Sequence, residues 1–131
     1  LNAGGRVPEL VEVLEKHLEI TSDATERKAI GKRIAVLYED ALKQREAAVR
    51  AWETVLEIDP TDGDALESLA QLHFAGGSFR ELTDVFARKL ELTSNPQERR
   101  GLFGQSAAIF EEKLNEPEQA IESVPLSGTE V

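Results

Sequence analysis

The sequence predicts an all-α fold, antiparallel helix hairpins stacked as an α-solenoid of about seven helices. Three observations lead there. Apolar residues follow i, i+3, i+4 and i+8 in Leu10, Val13, Leu14 and Leu18, and again in Leu82, Val85, Phe86 and Leu90, which lines one side of a helix. No segment alternates polar and apolar residues as a half-buried strand does. The sequence also aligns with itself without a gap at an offset of 72 through the whole overlap, with Ala3-Gly4-Gly5 on Ala75-Gly76-Gly77 and Glu46 on Glu118. About seventeen of roughly fifty-two pairs are identical, well above chance. Helix starts and stops fall at matching places in the two copies.

The first helix is expected near 7–20, ending before the polar Thr21-Ser22-Asp23. Asp23 with Glu26 then reads as a capping box for a helix over 24–43, because the cap side chain can accept from the free first-turn N–H groups. A helix over 46–58 stops at Asp59-Pro60, since proline disfavours helical geometry in the residue before it. The next, over 62–75, starts at Thr61 or Asp62 and ends at Gly76-Gly77, where glycine tolerates positive φ. Ser78 with Glu81 predicts a second capping box before a helix over 79–92. Asn95-Pro96-Gln97-Glu98 supplies a cap, a first-turn proline and a glutamate for a helix over 96–114. A short helix follows from about Pro117. Neighbours joined by such tight turns pair antiparallel, and one pair holds too few apolar side chains to offset its own ordering entropy, so pairs must stack.

The charge balance narrows the partners. Fifteen Lys and Arg against twenty-five Asp and Glu leave a net charge of −10, which repels phosphate backbones and anionic headgroups; nucleic acid is not an expected partner. A basic protein or peptide is favoured by the same field, although such acidity also serves solubility alone. Cysteine is absent, which excludes disulfides, thiol nucleophiles and thiolate metal sites. Apolar runs fall short of the ~20 residues that span a membrane, so no insertion is expected. With no methionine in the chain, Leu1 is expected to be a cut or processed end. Cytoplasm is the default compartment.

Leu66, Leu69, Ala70, His73, Gly77, Leu82 and Phe86 form a pattern: a large residue, leucine with a small residue, a ring, a turn glycine and a second-helix aromatic. Ile34, Ala35 and Tyr38 with Ala48, Trp52, Val55 and Pro60 repeat it, as do Ser106, Ala107, Phe110 and Ala120. This pattern resembles the tetratricopeptide repeat (TPR) family, and helices starting near 24, 62 and 96 lie 38 and 34 residues apart, the latter being that family's period. The chain departs from it in having His73 and Leu82 where an aromatic and an alanine are usual. The resemblance implies a right-handed superhelix over 1–123, with a partial repeat 1–23, repeats 24–61, 62–95 and 96–123, and an irregular tail 124–131. Because Leu1 aligns with His73, the chain is expected to start within a repeat. The array is expected to be part of a longer one or to lack a polar capping helix, exposing an apolar end through which copies self-associate.

Residues suited to catalysis do not converge in this sequence. His17 and His73 stand alone on their predicted helices, without an HExxH or a serine–acid partnership. His73 is expected to fill an aromatic packing position and His17 a helix edge; neither is expected to hold a metal. Asp59-Pro60-Thr61-Asp62-Gly63-Asp64 has the wrong acidic spacing for a calcium loop and suits an inter-repeat turn. Glu39-Asp40 and Glu111-Glu112 diverge by about 100° along a helix, so they read as solvated faces. Gly101 and Gly104 follow no strand and are expected to permit close helix contact, while Trp52 is expected in the core. No enzyme activity and no cofactor are expected.

The resemblance places a partner groove on the first helix of each unit. The matching stripe is Ala29, Lys32, Val36 and Glu39, then Asp64, Glu67, Gln71 and Phe74, then Gly101, Gly104, Ala108 and Glu111. An extended or helical basic segment would lie along this acidic, partly apolar stripe, although the same positions also suit plain solvated faces. The lysine and asparagine clamp by which some members of the family hold acidic chaperone tails is absent, since Glu67, Gln71 and Gly104 stand in its place. The expected function is a protein-interaction scaffold; the alternative is an intramolecular regulatory segment attached to a kinase or other enzyme.

Overall fold

The computed structural model describes residues 3–114, with side chains from Arg6 onward. These residues form six α-helices and two wider π-helical turns, and no strand occurs among them. The expected helix near Pro117, Ala120 of the repeat pattern and the tail 124–131 lie outside the described residues. The chain divides between Leu72 and His73 into two compact units, and each is described by itself.

In the first unit, α1 (Ala3–Ile20), α2 (Ala24–Val36) and α3 (Arg45–Ile58) lead to α4 (Gly63–Gly76), within which the unit boundary falls. Asp23 caps α2 by accepting from the Glu26 N–H at 2.9 Å. Behind the same corner, Arg27 Nη1 donates to the carbonyls of Leu18 at 2.9 Å and Thr21 at 3.1 Å. The guanidinium thereby occupies the acceptor-rich end of α1, where a helix leaves carbonyls without internal partners. The core that results joins Val7, Val11 and Leu14 of α1 to Ile30 and Ile34 of α2, with Leu10, Leu18, Tyr38 and Leu42 against it.

α2 and α3 form the most extensive helix contact of the unit. Gly31 permits it: a Cβ there would stand 3.3 Å from Val55 Cγ2. Ala35, Ala48 and Val55 are wholly buried, and Trp52 is 3% exposed. The helix expected over 24–43 leaves α geometry at Val36. Leu37–Ala41 forms a π turn closed by the Leu42 N–H on the Leu37 carbonyl at 2.9 Å, and Lys43 at φ 55 turns the chain toward α3.

The second unit contains the end of α4, α5 (Phe79–Leu92) and α6 (Pro96–Ala108). Gly77 adopts φ +74, a conformation that favours glycine, and Ser78 N–H closes on the His73 carbonyl at 2.9 Å. The capping box expected at Ser78 does not form: its side chain makes no cap bond, and its backbone at φ −85 and ψ 69 lies outside the extended geometry from which a cap side chain reaches the first-turn N–H groups. Asn95 does cap α6, accepting from the Gln97 and Glu98 N–H groups at 2.9 and 3.0 Å. The Glu98 carboxylate accepts from the Thr93 hydroxyl.

The offset of 72 is also structural. Helix α2 over 24–36 maps onto α6 over 96–108, and the π turn Leu37–Ala41 maps onto Ile109–Lys113, again closed at 2.9 Å by Leu114 on Ile109. Arg99, the counterpart of Arg27, donates to the carbonyls of Leu90 and Thr93, which are the counterparts of Leu18 and Thr21. One exception is Gly5, which lies inside α1 whereas its counterpart Gly77 ends a helix; accordingly α1 begins at Ala3 and not near residue 7.

Replacing either arginine strands the same pair of carbonyls. Arg27→Ala and Arg99→Ala are each expected to lower the unfolding free energy by about 1–3 kcal/mol in urea titrations followed by circular dichroism.

Candidate functional site

The stripe expected to face a partner is best read unit by unit. In the first unit Lys32 lies half-buried on α2 and Val36 is 42% exposed at its end. Glu39, in the π turn, accepts from Trp52 Nε1 at 3.1 Å, so this carboxylate holds the buried indole. Asp64, Glu67 and Gln71 lie exposed on α4, with the Gln71 amide donating to Glu67 at 3.2 Å. The structure brings Lys32 and Asp64 together at 2.8 Å. Ala29 is exposed one turn before Arg33.

In the second unit Phe74 is 58% exposed, its ring edge-on to Phe79 at 6.0 Å, and Lys113 Nζ stands 5.6 Å from the Phe79 ring centre. Ala108 is half-buried and Glu111 exposed. Among the described residues, Gly101 and Gly104 do not serve close contact as expected. A Cβ at either would meet nothing described within 4 Å, because they lie on the side of α6 turned away from its buried Leu102 and Ser106. Close approach belongs to Gly31.

The strongest polar cluster of the first unit joins α2 to the turn before α4. Lys28 Nζ lies 2.8 Å from Asp59 and 3.4 Å from Asp62; Lys32 Nζ lies 3.2 Å from Asp62 and 2.8 Å from Asp64. Two ammonium groups thus share three carboxylates. Asp59 also accepts from the Thr61 N–H and hydroxyl, which shapes the turn at Pro60, while Asp62 caps α4 by accepting from the Ala65 N–H at 2.9 Å. The hydrogen bond from Lys28, aided by Thr61, draws the Asp59 carboxyl from 3.8 down to about 2. For Asp62, burial pushes upward, but the Ala65 N–H and the two lysines outweigh it and the net shift is down. Lys28 is raised chiefly by its bond to Asp59, and Lys32 chiefly by its bond to Asp64. Sequence reasoning placed Lys32 and Asp64 on the stripe but did not single out Lys28 or pair the acids with it. These partners are some thirty residues apart and carry no local signature.

On another side of the unit, Glu15, Leu18, Ile34, Tyr38, Arg50 and Thr54 line an open cavity of about 210 Å³ among α1, α2 and α3. Tyr38 donates to Glu15 at 3.3 Å; partial burial and then the nearby Glu15 charge raise its phenol above the usual 10.0. His73 is 7% exposed and His17 exposed, each as the helix pattern predicts. Among the described residues, no group of three His, Asp or Glu side chains could hold a metal, and no helix is long and apolar enough to cross a membrane.

Comparison with protein-family models, with curated proteins and with solved structures returned no match.

The cluster sets a signed pH response. Because the folded Asp59 is depressed, its contribution is present above its unfolded value near 3.8 and is lost as pH falls toward about 2. The raised lysines contribute below 10.5 and lose that contribution as pH climbs beyond it. Asp59→Asn is expected to flatten the decline in urea midpoint between about pH 4 and 2, while leaving the slope above pH 5 unchanged.

Proposed function

We propose that this chain is a tetratricopeptide-like scaffold, a right-handed solenoid of helix hairpins, whose first unit holds a basic helical or extended segment of a partner protein. The duplicated corner carries this reading: a capped helix start, an arginine on the preceding carbonyls and a π-turn end recur at one fixed offset. A chain that repeats its corner chemistry so closely is built to stack equivalent hairpins.

The receiving face is the α2 and α4 side of the first unit. Val36 supplies exposed apolar area there, Glu67 supplies charge, and Gln71 offers amide hydrogen bonding. Lys32 is occupied by Asp62 and Asp64, so it orders the face and leaves its field negative toward an incoming cation. Glu39 serves more to anchor Trp52 than to meet a partner, which makes Glu67 the better position for charge reversal. Phe74, Ala108 and Glu111 are the corresponding positions of the second unit.

A matched panel of lysine-rich and glutamate-rich amphipathic peptides, titrated against the whole chain by fluorescence anisotropy, tests this. Saturable binding is expected for the basic peptides, weakening with added salt. The Val36→Ser, Glu67→Lys variant is expected to bind them about tenfold more weakly. Equal binding of both peptide classes, or affinity untouched by the double substitution, would refute the assignment.

A further inference from the structure

Two concavities of the first unit meet at α3. The open cavity among α1, α2 and α3 has an apolar wall of Leu18, Ile34 and Ala51 and, at Gly31, no side chain at all. Beside it, the turn into α3 forms a shallow recess of about 410 Å³ lined by Lys43, Gln44, Arg45, Glu46, Ala47 and Arg50. Ala47 and Arg50 line both, so the apolar cavity and the recess adjoin along one turn of α3.

The cations of this recess are uncommitted. Arg27 is held by carbonyls, and Lys28 and Lys32 by Asp59, Asp62 and Asp64, whereas the Lys43, Arg45 and Arg50 side chains form no salt bridge among the described residues. Against these three, the joined lining sets two carboxylates, Glu46 and Glu15, and Glu15 already accepts from the Tyr38 hydroxyl at 3.3 Å. A chain of net charge −10 thus keeps a locally positive recess beside an apolar hollow. Burial, then the Glu15 charge, raises the Tyr38 phenol while Arg50 pulls it down, which puts the guanidinium within electrostatic reach of the cavity's own hydroxyl.

Size limits the occupant. A cavity of about 210 Å³ falls short of the ~300–1,000 Å³ that take drug-sized molecules, so it suits a single ring or a short alkyl chain. Charge selects the other end of the ligand, since an unpaired guanidinium at the border of the hollow matches a carboxylate.

We propose that α1, α2 and α3 bind a small organic carboxylate, its aryl or alkyl body in the apolar cavity and its carboxylate on Arg50, with Lys43 and Arg45 supplying the surrounding positive field. Lys32, Val36, Glu67 and Gln71 do not line this site, so it stands independently of the α2 and α4 face.

The test titrates phenylpropionate into the isotope-labelled whole chain, followed by amide proton–nitrogen NMR spectra. Saturable shifts centred on Gly31, Ala47 and Ala51 are expected, with a dissociation constant below about 1 mM. Uncharged phenylpropanol, and acetate, which lacks the apolar body, should each bind about tenfold more weakly or worse. Arg50→Gln, at an exposed position, should weaken phenylpropionate about tenfold, and Ala47→Leu, which fills the border of the cavity, should do likewise with unchanged helical circular dichroism. Arg33→Gln removes an exposed cation of α2 that lines neither concavity and should leave affinity unaltered. Absence of saturation, shifts centred on other residues, equal binding of phenylpropanol, or an Arg33→Gln loss as large as that of Arg50→Gln overturns the proposal.

Discussion

A helix ends with carbonyls that have no partner along their own axis, and this chain closes that end twice with an arginine from the following helix. Arg27 stands in the first turn of α2, one turn past the Asp23 cap, so a single corner satisfies the free donors of one helix and free acceptors of another. The corner fixes the direction in which α2 leaves α1. With that direction set, Ile30 and Ile34 meet Val11 and Leu14, Gly31 turns toward Val55, and Lys28 and Lys32 reach the turn before α4. In the second unit Asn95 and Arg99 do the same work between α5 and α6. Their positive charge also suits the negative end of the helix they contact.

Charge is distributed less simply than a net −10 suggests. The acids of the first unit that lie nearest α2 are shared between two lysines, and one of them, Asp62, is 5% exposed in its side chain and doubles as a helix cap. Such a buried carboxylate is tolerable because an N–H and two ammonium groups surround it. Further along α4 the carboxylates face solvent. The cap and first turns of one helix therefore carry both a structural acid and exposed ones, and only the latter project their field into solvent.

Much of the fold was legible from residue order. Caps at Asp23 and Asn95, the turn at Gly77, the burial of Trp52 and His73 and the helices over 79–92 and 46–58 follow from local rules, and the structure places them within a residue or two of expectation. Two local readings failed for different reasons. Ser78 looked like a cap, but its backbone leaves the extended geometry a cap needs; Gly101 with Gly104 looked like contact points, but which side of a helix is packed is fixed by what meets it in space. The π turns carry no signature in the apolar spacing, which continues unbroken through Leu37 and Ile109. The candidate site was legible only in part: Lys32, Val36, Asp64, Glu67 and Gln71 could be placed on a stripe, while the lysine–aspartate cluster and the tie between Glu39 and Trp52 could not.

By itself the sequence determined the helical class, the capped helix starts at Asp23 and Asn95 and the duplication at 72, because hydrogen bonding, capping and turn geometry act over a few residues and repeat wherever those residues do. Tertiary structure decided which acids are neutralised and which glycine admits a neighbouring helix, Gly31 and not Gly101 or Gly104. Those outcomes depend on groups tens of residues apart meeting in space, and identical side chains in equivalent repeats acquire different roles when their surroundings differ.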